Sequence, residues 1–149
     1  MPISEVCNRE VVIVRPDETV LDAARLMRQH HVGDVVVVEE RGGRRVPVGI
    51  VTDRDLVLEV MAAQIDPATL RVSDIVVSDL VAVREDAGLF EAIEYMHAKG
   101  VRRLPVVDGN GGLVGILTLD DLIELLADEM AALARLVKHE QKKETAKRR

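Results

Sequence analysis

Two segments of this chain place a carboxylate three residues after a hydroxyl: Thr52 with Asp55 in GIVTDRDL, and Thr118 with Asp121 in GILTLDDL. Each lies where an apolar, strand-like run gives way to a helix-like one. A carboxylate beside a hydroxyl can receive a sugar diol, because the carboxylate accepts hydrogen bonds from both hydroxyls of the diol. The N-terminus of a helix also favours nearby negative charge such as phosphate. Asp itself repels phosphate, so ribose rather than phosphate is expected against Asp55 and Asp121. The plain alternative is a capping box, Ser/Thr followed three residues later by an acid, which starts a helix with no ligand at all. Two copies at one topological position, each preceded by Gly and an apolar strand residue, favour a site.

The two motifs belong to a longer internal repeat. Adding 69 carries Ser4 onto Ser73, Val12 onto Val81, Arg15 onto Arg84, Asp17 onto Asp86, Met27 onto Met96, Val32 onto Val101 and Val37, Val38 onto Val106, Val107. The offset then falls to 66, which carries Gly49 onto Gly115, Ile50 onto Ile116, Thr52 onto Thr118 and Asp55 onto Asp121. The three extra residues of the first copy fall near Arg41 to Arg45, in a Gly/Arg-rich stretch of the kind a solvated hairpin tolerates. Two copies of one supersecondary unit place function at or between them.

The elements that position the motifs follow from periodicity. In the first repeat, 11–14 reads as a strand and 19–30 as a helix with Val20, Ala23, Ala24 and Met27 on one face; Thr19 with Asp22 caps it. The β-branched run 35–38 reads as a strand buried on both faces. EERGGRR is a turn, 46–51 a strand, and 53 to about 63 a helix. The second repeat gives strand 80–83, helix 88–99, strands 104–107 and 113–117, and a helix from about 119. Pro67 marks the break between halves, because it pushes Asp66 out of helical geometry. The expected organisation is 1–66 and 67–127 for the repeats and 128–149 for a helical extension with a basic tail. Leu122, Leu126, Met130, Leu133 and Val137 carry an apolar stripe beyond the needs of the repeat, suited to a second copy or to the chain's own sheet.

Composition narrows the function classes. The chain has 149 residues, 48% of them hydrophobic, enough for a shared core, whereas a half of roughly 60 residues alone would be marginal. Phe90 and Tyr95 are the only aromatics, so the core is aliphatic and a base-stacking nucleic-acid platform is not expected. One cysteine excludes an internal disulfide, and no apolar run approaches the roughly 20 residues of a membrane span. Without an export signal, the cytoplasm is the expected compartment. The net charge of −6 divides into about +4 from Lys138 to Arg149 and about −10 on the rest.

Taken together, the repeat, the GIVTDRDL and GILTLDDL segments and GVRRLPVVD at 100–108 resemble a tandem pair of cystathionine β-synthase (CBS) domains, a Bateman module, over residues 4–126. The resemblance implies an α/β (α+β) fold. Two β-α-β-β-α repeats related by a pseudo-twofold axis pack through their sheets, with an extended C-terminal helix beyond. It implies clefts that bind adenosine-containing ligands such as AMP, ADP or ATP, with S-adenosylmethionine or NAD also compatible, and pairing of modules into a flat homodimer. By carry-over, Thr52, Asp55, Thr118 and Asp121 hold ribose, while Arg54, Arg102 and Arg103 meet phosphate. Cys7, Asn8, Val11, Val76, Val77 and Leu80 border the base.

The two copies differ where charge matters. Gly33 and Asp34 stand where the second repeat has Arg102 and Arg103, and Asp120 stands where the first has Arg54. The Thr52 site is therefore expected to take the more highly charged nucleotide. Arg102 and Arg103 could instead lie on a solvated strand edge or pair with an acidic neighbour. His30 and His31 do not share a helical face, and no His, Cys or carboxylate cluster has metal-ligand spacing. Cys7 is expected to be a buried small apolar residue, and Met27 and Met96 to be core.

A GxxxxGK[ST] loop is missing, as is a nucleophile, base and orienter set, so an enzyme is not expected. The expected function is a ligand-sensing regulatory module that signals to a separate protein; the alternative is a dimerisation scaffold with vestigial clefts.

Overall fold

The computed structural model describes residues 1–76 and 80–148 and divides into two compact units, Met1–Leu117 and Thr118–Arg149. In chain order the elements are β1 (Ile13–Val14), α1 (Val20–His30), β2 (Asp34–Arg41), β3 (Arg44–Thr52), α2 (Asp53–Leu56), α3 (Val72–Ile75), β4 (Val83–Arg84), α4 (Leu89–Lys99), β5 (Arg103–Val107), β6 (Leu113–Thr118) and α5 (Leu119–Arg148). Strand, helix, strand, strand, helix thus occurs twice. The strands form two three-stranded sheets of order β1-β2-β3 and β4-β5-β6. In the first, β1 runs parallel to β2 and β3 antiparallel to it; β4 likewise runs parallel to β5.

The hydrophobic pattern sets the core. Val35 to Val38 are all fully buried, as a continuous β-branched run requires. Alternation divides them: Val35 and Val37 join Val14, Ala23, Met27, Val51 and Val72 beneath α1, whereas Val36 and Val38 face Ile116. Ile13, Ile50 and Leu113 pack against that second cluster, so the two sheets meet through aliphatic side chains. Each fully buried valine contributes about 1.5 kcal/mol. Met27 and Met96 are both buried, as their helical spacing implies.

Several elements differ from the sequence-based expectation. Where strands were expected at 11–14 and 80–83, only two residues of each repeat pair as strand, Ile13–Val14 with Val36 and Val37, and Val83–Arg84 with Val106 and Val107. The expected turn at 39–45 is mostly strand: β2 and β3 pair out to Arg41 and Arg44, and Gly42 and Gly43, at φ 58° and 78°, close the hairpin. Two central residues with positive φ suit the twist of a two-residue hairpin. The helix expected at 53–63 keeps α-geometry only to Leu56. A π-turn follows over Val57–Met61, with Ala62 N–H donating to Val57 O and Ile65 N–H to Val60 O. Neither the short helix α3 nor the 3-10 turn at Ile3–Glu5 was expected from periodicity.

Those two short elements interlock the repeats. Ile3 N–H donates to Ala87 O and Ser4 N–H to Glu85 O, both at 3.0 Å. Sixty-nine residues on, Val72 N–H donates to Glu18 O at 2.9 Å and Ser73 N–H to Pro16 O at 3.0 Å. Each lead-in therefore lies on the other repeat. Asn8 and Ile116 exchange two further backbone bonds, at 2.9 and 2.8 Å. Gly115 makes that approach feasible, since a Cβ there would lie 2.8 Å from Cys7 Sγ and 2.9 Å from Asn8 O.

Candidate functional site

Thr52 ends β3 in extended geometry and α2 begins at the next residue. The Thr52 N–H donates to Asp55 Oδ2 at 2.9 Å, and the Asp55 N–H donates to Thr52 Oγ1 at 3.2 Å. This is a complete capping box. It leaves chemical capacity unused: the Thr52 hydroxyl proton can still be donated, and Asp55 Oδ1 can still accept. At the second motif the Asp121 N–H donates to Thr118 Oγ1 at 3.1 Å.

The surroundings of Thr52 are what single it out. Gly49, Ile50, Thr52, Asp53, Arg54 and Asp55 of the first repeat share a cleft of about 510 Å³ with Leu80, Val81 and Gly100 to Arg103 of the second. That volume lies within the range typical of small-molecule sites. Five of the residues expected from sequence to hold ribose and phosphate are thus gathered: Thr52, Asp55, Arg54, Arg102 and Arg103. Leu80, expected at the base, lies there too. Val76 packs against the core beneath α1 instead. Asn8 pairs with Ile116, and Val11 packs where the sheets meet. Val77 lies outside the described residues. Ile50, Val81 and Val101 were read from the sequence as repeat positions and not as site residues, although Ile50 falls within GIVTDRDL and Val101 within GVRRLPVVD.

The charge in this cleft is set by a contact across the repeats. Strand register places Asp34 opposite Thr52. Its repeat equivalent, Arg103, brings Nε to 3.0 Å from Asp34 Oδ2. The contact is ionic without an aligned hydrogen bond, so Nε is buried without a hydrogen-bond partner. Burial pushes the Asp34 carboxyl above the ordinary aspartate value, and Asp53 adds to that, while Arg103 pulls it down. Asp53 itself lies against Gly33, whose carbonyl accepts the Asp53 N–H at 2.9 Å. Arg103 thus has an acidic neighbour in Asp34 and also lines the cleft.

Burial is also the main influence on Cys7, raising its thiol above the usual value, with Arg9 opposing. A protonated, half-buried thiol is a packing group rather than a nucleophile. Among the described residues no three His, Cys, Asp or Glu side chains gather at metal-binding range. No helix among them is long and apolar enough to cross a membrane.

Two interlocked α/β repeats, with a capped helix start opening on a cleft that both repeats line, define a class of tandem-repeat module. The family model of the CBS domain matches residues 3–62 and 72–128, and the chain belongs to the CBS-domain family. It is 37% identical over 133 residues to the CBS domain-containing protein YhcV of Bacillus subtilis, covering 89% of this chain and 91% of that one. A protein of Methanopyrus kandleri is 40% identical over 123 residues, covering 83% of this chain; the match spans 61% of the relative's own length.

Among solved structures, Hypoxic Response Protein I with two coordinated zinc ions is similar at a TM-score of 0.71 and 31% identity, covering 83% of this chain and 98% of that one. A CBS domain pair in complex with 5′-methylthioadenosine and S-adenosyl-L-methionine shares the fold at a TM-score of 0.74 and 20% identity, covering 87% of this chain and 98% of that one.

Proposed function

We propose that this chain is a non-catalytic, ligand-sensing regulatory module that binds an adenosine-containing molecule and signals to a separate protein. The observation that carries the reading is the cleft around Thr52. Ribose rests on Asp55 and the Thr52 hydroxyl, the base lies towards Leu80, Val81 and Ile50, and phosphate lies towards Arg54, Arg102 and Arg103. The fold supports it as well, since a solved CBS pair of the same architecture holds two adenosine-derived ligands. Thr118 and Asp121 serve a second, less basic site. The Thr52 site takes the more highly charged nucleotide of the two. The protein works in the cytoplasm as a homodimer, its repeats dividing near residue 66.

Binding can be tested by thermal shift with AMP, ADP, ATP, NAD and S-adenosylmethionine. A ligand at about 100 times its dissociation constant adds roughly 2.7 kcal/mol, several degrees for a domain of this size. Asp55→Ala is expected to lose the effect of the more highly charged nucleotide, and Asp121→Ala to retain it. No stabilisation by any of the five at millimolar concentration would overturn the sensor reading and favour the scaffold.

A further inference from the structure

Asp34 and Arg103 occupy the same position of the two repeats, and each opens a strand, β2 and β5. Equivalent positions of two copies can touch only where the copies face one another. There two arginines would repel, whereas an aspartate and an arginine attract. Arg103 Nε accordingly lies 3.0 Å from Asp34 Oδ2. The pair is partly buried, so salt screens its attraction less than it would screen a surface pair.

Arg103 also lines the cleft around Thr52, with Arg54, Arg102, Asp53 and Asp55. Among the described residues of that lining, three guanidiniums stand against two carboxylates, and Asp34 beside Arg103 cancels the surplus. A guanidinium meets a carboxylate or a phosphate best through two parallel N–H···O bonds. The Asp34 contact falls short of that, because the buried Nε makes no aligned hydrogen bond. A phosphate in the cleft can therefore offer Arg103 better geometry than Asp34 does. Accepting it strips a partly buried carboxylate of its counter-charge, and does so next to Asp53, which already disfavours the charged form of Asp34.

We infer that Asp34 is a specificity-determining residue of the Thr52 cleft, withholding Arg103 so that phosphate enters only by breaking a contact between the repeats. This rests on the nucleotide reading of the cleft and adds the residue that grades ligands by their phosphate charge. Adenosine asks nothing of Arg103 and leaves the pair intact. A triphosphate draws Arg103 away and frees the start of β2 from the start of β5. Asp34 thus lowers the affinity for phosphate, most of all for the most highly charged ligand, and its neutral isostere restores it.

Isothermal titration calorimetry with adenosine, AMP and ATP tests this on the full chain, Asp34→Asn, Arg103→Gln and the double variant, with thermal unfolding confirming that each is folded. Asp34→Asn is expected to bind ATP about tenfold more tightly than the wild type, AMP by a smaller factor and adenosine within about twofold. A damaged fold would weaken all three, so tightening is a readout that a purely structural role does not produce. Asp34→Ser also removes the charge and is a second variant with the same expected order. With Arg103→Gln in place, Asp34→Asn is expected to change ATP affinity by less than about twofold, since no guanidinium is left to release. Unchanged or weaker ATP binding by both Asp34 variants, a gain shared equally by adenosine, or the same gain with Arg103→Gln in place would each overturn the inference while leaving the nucleotide reading intact. No binding of any of the three ligands to any of these proteins would overturn that reading and the inference with it.

Discussion

Thr19–Asp22 and Thr52–Asp55 are the same local structure in two different surroundings. At both turns the carboxylate accepts the backbone N–H of the threonine and the hydroxyl accepts the N–H of the acid, at 3.1 and 3.1 Å in the first and 2.9 and 3.2 Å in the second. Around Thr19 the chain closes in, with a bridge between Thr19 and Arg71 and the Val20 N–H donating to Leu70 O at 2.8 Å. Around Thr52 it opens on the cleft that Leu80 and Arg102 also line. A capping box is thus a helix start in both places, and what distinguishes them is what the other repeat does nearby.

The largest expected effect separates the two turns outright. With a stabilising nucleotide at about 100 times its dissociation constant, Asp55→Ala loses the roughly 2.7 kcal/mol that ligand supplies, while Asp22→Ala retains it. Equal loss in the two variants would dissolve the distinction. Calorimetric scans with and without nucleotide measure both.

A smaller effect comes from the ion pair beside the open turn. Arg103→Met leaves Asp34 without its counter-charge and is expected to cost about 2 kcal/mol at pH 7, below the ~3–5 of fully buried pairs, because the side chains remain 32% and 20% exposed. The folded-state value of Asp34 is raised, so its contribution is complete below the unfolded aspartate value of about 3.9 and is lost as pH rises through the folded value. Removing Arg103 raises that value further. The gap between variant and wild type in urea unfolding should therefore widen from acid towards neutral pH. A gap that does not change with pH would mean that Asp34 and Arg103 are not coupled.

The smallest effect should be shared by the two turns. Without ligand, Thr19→Ala and Thr52→Ala each remove an N-cap and are expected to cost about 1 kcal/mol. Denaturation midpoints that differ by much more than this would mean that the turns are unequal even as caps.

Much of this was legible in the chain because it is written between near neighbours. A Thr three residues before an Asp, a buried run such as Val35 to Val38, and Met27 on the face of Val20 and Ala23 are local patterns, and the folded protein uses them as expected. The offset of 69 correctly equated the two lead-ins, since Ile3 and Val72 make equivalent bonds. It did not say that each lead-in crosses to the other repeat. Arg103 showed the same limit: its charge was visible, but whether phosphate or Asp34 receives it depends on a residue 69 positions away.

Helix starts and core composition were readable along the chain because capping and periodicity act over three or four residues, and the two copies were readable from the offsets of 69 and 66. Tertiary packing settled which capped turn opens on a cleft, that Asp34 meets its own repeat equivalent, and that Gly115 lacks a side chain where Cys7 and Asn8 pass. Those outcomes rest on how two packed surfaces meet, and no local pattern specifies that meeting.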